Sequence, residues 1–173
     1  GEGPIEAIVA SRNADGPFED LFDLCRRVDP RKLNKRSLEA LVRAGALDLL
    51  ACEDDEGRPH RASLLASLDD ALRSAEQASR NEEAGMGDLF GEPGTAAVIA
   101  PPALADVRPL TPQQRLGGEK ETLGLYLTGH PIEAYEEEIR QFASTRITDL
   151  RADRNVQVIA GLIVDQRVIR TKS

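Results

Sequence analysis

The chain has 173 residues and a formal net charge of −8; 40% of it is hydrophobic, only 3% is aromatic, and it contains no Trp. That length fits one domain or two small ones, and Leu, Ala, Ile and Val must build a core that favours helices. The acidic balance argues against a nucleic-acid partner, but exposed charges are screened beyond about 8 Å at physiological ionic strength, so local distribution outweighs the sum.

In chain order, residues 1–50 read as short helices. Pro4 suits a first helical turn, and Ile5, Ile8 and Val9 keep helical spacing to about Asn13. Asp15-Gly16-Pro17 is a turn; Phe18, Leu21, Phe22 and Leu24 line a second helix, and Asp29-Pro30 interrupts the chain again. Leu38, Leu41 and Val42 mark a third helix that Gly45 stops. Residues 51–80 hold an amphipathic helix from about Pro59 to Arg80, with Leu64, Leu65, Leu68, Leu72 and Ala75 at steps of three and four. Residues 81–112 lose all periodicity, are punctuated by Pro93, Pro101, Pro102, Pro109 and Pro112, and read as a disordered linker. Residues 113–150 are helical again, with Leu116, Leu123 and Leu127 on one side, a turn at Gly129-His130-Pro131, and a restart from Ile132 to Phe142. From Val156 the β-branched run through Val158, Ile159, Ile163, Val164, Val168 and Ile169 predicts two strands, which rarely stand alone. The chain opens at Gly1 without Met and closes at Ser173 directly after that run, so it reads as a piece of a longer polypeptide.

Two stretches carry candidate chemistry. Gly1-Glu2-Gly3 precedes the first helix; glycines let backbone approach an anion closely, and helix N-terminal N–H groups suit a phosphate. Such a turn holds nucleic acid by its backbone and reads no sequence. Then Arg26, Arg27, Arg31, Lys32, Lys35, Arg36 and Arg43 oppose only Asp29 and Glu39, a local basic patch within an acidic chain. Lys32-Leu33-Asn34-Lys35-Arg36 sits at a helix start, where cations oppose the dipole and a docked anion would relieve the conflict.

The linker holds one apolar island, Met86-Gly87-Asp88-Leu89-Phe90. A segment unable to build a core spends large apolar residues on a partner's pocket. No run of roughly 18 apolar residues suits a membrane, no signal peptide is visible, and Cys25 and Cys52 lack framework spacing, which points to a reducing, cytoplasmic setting. Cys52-Glu53-Asp54-Asp55 with His60 matches no zinc spacing and reads as a solvated acidic loop; His130 reads as a structural turn residue. No phosphate-binding loop, nucleophile elbow or dinucleotide fingerprint occurs, so no catalytic residue is expected in this chain.

Gly1-Glu2-Gly3-Pro4-Ile5-Glu6-Ala7-Ile8 resembles the second half of a helix-hairpin-helix motif. The runs Phe18 to Cys25, Lys32 to Arg36, Leu38 to Leu41, Gly45 to Asp48 and His60 to Leu64 resemble the same region of the alpha subunits of bacterial replicative DNA polymerase III, the C-family polymerases. The long run Gly118-Glu119-Lys120-Glu121-Thr122-Leu123-Gly124-Leu125-Tyr126-Leu127-Thr128-Gly129-His130-Pro131-Ile132 is the most specific. The resemblance implies a mainly α fold: a tandem helix-hairpin-helix region over 1–50, a helical extension over 51–80, a linker with a clamp-binding peptide over 81–112, a helical connector over 113–150, and the first strands of a truncated OB-fold β-barrel over 151–173. It implies duplex DNA at Gly1, Gly3, Arg31, Lys32, Asn34, Lys35 and Arg36, and the sliding clamp at Met86, Asp88, Leu89 and Phe90. Met86 stands where the clamp peptide usually begins with Gln, which removes a polar anchor. The parent would be a DNA-directed DNA polymerase using Mg²⁺ and other holoenzyme subunits, with no cofactor in this stretch. The rival readings are a hairpin domain of a repair enzyme and a protein-interaction scaffold without DNA.

Overall fold

The computed structural model describes residues 2–83, 103–163 and 166–169. Its helices are α1 (Glu2–Asp15), α2 (Leu21–Arg27), α3 (Lys35–Arg43), α4 (Arg61–Glu83), α5 (Pro112–Leu123) and α6 (Glu136–Phe142), with 3₁₀ turns at Asp48–Leu50, Pro131–Tyr135 and Ile147–Asp149. The chain divides into two compact units, Gly1–Leu125 and Tyr126–Ser173, so the expected 113–150 connector is split between them.

In the first unit, α2 and α3 pack on α4. Leu21, Leu24, Cys25 and Val28 recur at i, i+3, i+4 and i+7, and all are buried. They meet the fully buried Leu38 and Val42 of α3 and Leu64, Leu68 and Ala71 of α4. Each buried leucine contributes about 1.5–3 kcal/mol, so this stripe is what holds the unit together. The long helix runs from Arg61 rather than Pro59, because His60 caps it: its Nδ1 accepts from the Ser63 N–H at 3.0 Å. Gly45 stops α3 as expected, at φ 78°, with Ala46 N–H to Leu41 O at 2.9 Å and Gly45 N–H to Val42 O at 3.0 Å. The last part of the expected linker, 103–111, lies against this unit: Leu104 packs on the core and the Ala105 N–H donates to the buried Ser67 Oγ at 2.8 Å. Thr111 and Gln114 then form the capping box that starts α5.

In the second unit, His130 caps the 3₁₀ turn, its Nδ1 accepting from the Ile132 N–H at 3.2 Å, with Tyr126 edge-on to its ring. The restart expected from Ile132 is a 3₁₀ turn first and α-helix only from Glu136. The two expected strands do not form among the described residues of 151–173; the nearest feature is Ser144 N–H to Val158 O at 3.0 Å. Val156, Ile163 and Val168 are 93%, 83% and 81% exposed, so the β-branched side chains have no sheet face to pack on, and strand preference of this kind is realised only through such packing. No helix among the described residues is long and apolar enough to cross a membrane.

Candidate nucleic-acid interface

The loop between α2 and α3 is shaped from inside. Val28 and Leu33 are each 2% exposed and plug into the core at its two ends. Between them, Asp29 O accepts from Lys32 N–H at 2.9 Å and Leu33 N–H at 3.2 Å, and Asp29 Oδ1 accepts from Arg31 N–H at 2.9 Å. With the apolar ends buried and the backbone tied to Asp29, Arg31 and Lys32 stand in solvent.

Asn34 then caps α3. Its Oδ1 accepts from the Ser37 N–H at 2.9 Å, and Ser37 Oγ accepts from the Asn34 N–H at 3.2 Å and donates to Asn34 O at 2.7 Å. The conflict between the basic side chains and the helix dipole is thus met within the chain, and the carbonyl end of Asn34 is spent on capping rather than free for a ligand.

Opposite this loop lies the first turn of α1. Gly3 sits inside the helix, one position past its start at Glu2, rather than in a turn before it. A Cβ at Gly3 would meet nothing within 4 Å, so the helix start is open to approach. The first N–H groups of any helix lack partners within it. Gly1 lies outside the described residues.

Between the two walls runs an open groove of about 700 Å³, lined by Gly3, Pro4, Glu6, Arg31, Lys32, Asn34, Arg36, Ser37 and Ala40. The fold therefore brings Gly3, Arg31, Lys32, Asn34 and Arg36 together from two separate stretches. Among the described residues, Arg31, Lys32 and Arg36 are exposed and make no ion pair, while Glu6 is the carboxylate in the lining.

Lys35 is the exception. It turns away to Asp69 of α4, Nζ to Oδ2 at 2.8 Å, and that hydrogen bond raises its pKa. It does not line the groove, because consecutive helical residues point about 100° apart and Arg36 takes the groove side. Arg26 and Arg27 are held by the buried Asp23, and Arg43 by Glu121 at 2.7 Å, so those members of the basic stretch serve the fold. Burial alone would raise the Asp23 carboxyl, but the Glu19 N–H, Arg27 and Arg26 hold it below its ordinary value.

Met86, Asp88, Leu89 and Phe90 lie outside the described residues. Among the described residues, no group of three or more His, Cys, Asp or Glu gathers to hold a metal ion. The acidic loop near Cys52 is organised by its own hydrogen bonds, with Asp54 accepting from the Glu56 and Arg58 N–H groups at 3.0 and 2.9 Å.

A helix-hairpin-helix motif family matches residues 1–56, the stretch that builds both walls of the groove. Over 99% of its length the chain is similar to "DNA polymerase III subunit alpha": 49% identical to the protein of Pseudomonas aeruginosa, 46% to that of Haemophilus influenzae and 46% to that of Escherichia coli K12. This chain belongs with the DNA polymerase III alpha subunits. It spans about 15% of the length of the curated relatives it matches. Within that family segment, the residues that the basic pattern alone left unsorted are now separated: Arg31, Lys32 and Arg36 line the groove with Gly3, and Lys35 and Asn34 are spent on folding.

Proposed function

We propose that this segment of a DNA polymerase III alpha chain grips the backbone of duplex DNA in the groove between α1 and α3 and ties the polymerase to its sliding clamp through the linker, in support of processive replication. The observation that carries the reading is the groove itself: three cations without carboxylate partners, Arg31, Lys32 and Arg36, face an open helix start at Gly3. Cations and helix-terminal amides supply non-specific phosphate contacts, which fix position on the duplex and carry no sequence information. Polymerisation, its Mg²⁺ ions, the other holoenzyme subunits and a cytoplasmic setting belong to the parent polypeptide under this reading. None of that chemistry is routed through the residues described above, because they gather no metal-binding group.

The test is a duplex titration of the 173-residue chain at several salt concentrations. Log affinity should fall with log salt at about 0.9 for each phosphate neutralised. Changing Arg31, Lys32 and Arg36 to Gln together should flatten that slope by about 2 to 3. A flat response in the unchanged chain would refute the DNA grip.

The clamp half rests on Asp88-Leu89-Phe90 within the Pro- and Gly-rich linker. L89A/F90A should abolish retention of the chain on immobilised clamp, and unchanged retention would remove that role. Met86 in the usual Gln position leaves the peptide without a polar anchor, and tethering by DNA offsets a weak hook by raising effective concentration.

A further inference from the structure

The two walls of the groove are attached to the body very differently. The α3 wall is bolted to the core by Leu33, Leu38 and Val42, all buried. The α1 wall contains no buried residue; Ala7 and Ile8 pack partly against the core, while Ile5 and Val9 are 46% and 37% exposed. A helix with so little buried area needs another constraint to keep its start opposite Arg31 and Arg36.

Arg27 supplies it at the far end. Its side chain is 16% exposed and reaches out of α2 to the Asp15-Gly16-Pro17 corner. Nη2 donates to Ser11 O at 3.1 Å and Gly16 O at 2.9 Å, and Nη1 donates to Pro17 O at 3.2 Å. Asp23 Oδ2 holds Nη1 from behind at 3.0 Å, and the guanidinium lies 4.4 Å above the Phe18 ring. Only a planar fork with several donors spans three carbonyls and a carboxylate at once, and charge-assisted hydrogen bonds of this kind are the stronger ones. Ser11 O and Gly16 O belong to the C-terminal end of α1, where a cation also complements the dipole.

We infer that Arg27 is a positioning residue for the DNA groove: by fastening the C-terminal corner of α1, it sets where Gly3 stands relative to Arg31, Lys32 and Arg36. This rests on the phosphate-gripping reading above. Arg27 does not line the groove, so its effect reaches a phosphate only through α1. From Ser11 to Gly3 is about 12 Å of helix, so a tilt of roughly 15° about the fastened end moves Gly3 by about 3 Å. That distance is enough to break a hydrogen bond to a phosphate oxygen.

The discriminating variant is R27K, which keeps the charge but cannot span the three carbonyls; R26Q, next door and 60% exposed, removes a charge without touching α1. In the 173-residue chain, R27K should bind duplex DNA about threefold to tenfold more weakly, with a salt slope lower by about 0.9, the loss of one phosphate contact. R26Q should leave the slope unchanged. Hydrogen exchange of the α1 amides should speed up in R27K while α2 and α4 stay protected. Wild-type affinity and slope in R27K, or uniform loss of protection across α1, α2 and α4, would overturn the inference and leave Arg27 a plain stabiliser. If the unchanged chain binds no DNA, the phosphate-gripping reading fails, and the exchange pattern still judges the fastening of α1 by itself.

Discussion

Removing the Arg61 guanidinium should make the stability of this chain depend on pH in a way the unchanged chain does not. Arg61 is 3% exposed and joins Asp48, through bonds of 2.7 Å from Nε and from Nη2, to the fully buried Glu119 at 2.9 Å, so it links α5 to α4 and to the turn after α3. The hydrogen bonds to Asp48 outweigh burial and, with those to Glu119, raise the Arg61 pKa, which keeps it charged throughout any accessible range. In Arg61→Met, Glu119 loses its cation inside the core, and a buried carboxylate without one takes up a proton rather than stay charged. Buried glutamates titrate as high as about 8 to 9, against about 4.3 in an unfolded chain. The folded pKa is then raised, so the penalty is absent below the unfolded value and grows as pH rises, by about 1.4 kcal/mol per unit. The variant should lose about 1 kcal/mol from this source at pH 5 and about 4 kcal/mol at pH 7. Urea melts at the two pH values measure it. R61M/E119L, which replaces both charges by apolar groups, should recover most of the loss and abolish its pH dependence. An equal, small loss at both pH values would show that Glu119 is reached by water or by another cation, and the reasoning would fail.

Further outcomes follow from the same geometry. Asp23 is depressed when folded, so the stability it contributes is present above the unfolded value of about 3.9 and is lost as pH falls through the folded one; D23N should be less stable at neutral pH and should flatten acid unfolding, by circular dichroism. G45A should cost more than about 1 kcal/mol in a urea melt, because φ is 78° there and the added Cβ would run into the Arg61 guanidinium. Lys35→Ala should change the salt slope of DNA binding far less than Arg36→Ala, since Lys35 is already paired with Asp69 at the surface; equal effects would show that both side chains reach the duplex.

The helical elements were legible because burial follows short repeats. The spacing of Leu21, Leu24 and Val28, and of Leu64 and Leu68, names the faces that meet. Turn chemistry was equally local: Gly45 had to end α3 and Thr111-Pro112 to begin α5, whatever else the chain did. The basic patch was visible as composition, yet its division was not, because Lys35 and Arg36 are neighbours in sequence and face different partners in space. The strands over 151–173 show the opposite failure. Side-chain preference was read correctly as β-branched, but a strand is completed by a neighbour's hydrogen bonds, which no local pattern supplies.

From the sequence alone came the helices, their caps and stops, the concentration of positive charge after Asp29, and the resemblance to the polymerase alpha subunits. Only the tertiary structure decided that Gly3 and Arg31 to Arg36 share one groove, that Asn34 and Lys35 are used up by the fold, and that Arg27 and Arg61 are the fastenings. The physical reason is separation along the chain. Arg61 and Glu119 are 58 residues apart, and Arg27 and Ser11 are 16 apart; at those distances a charge chooses its partner by where packing has already carried it.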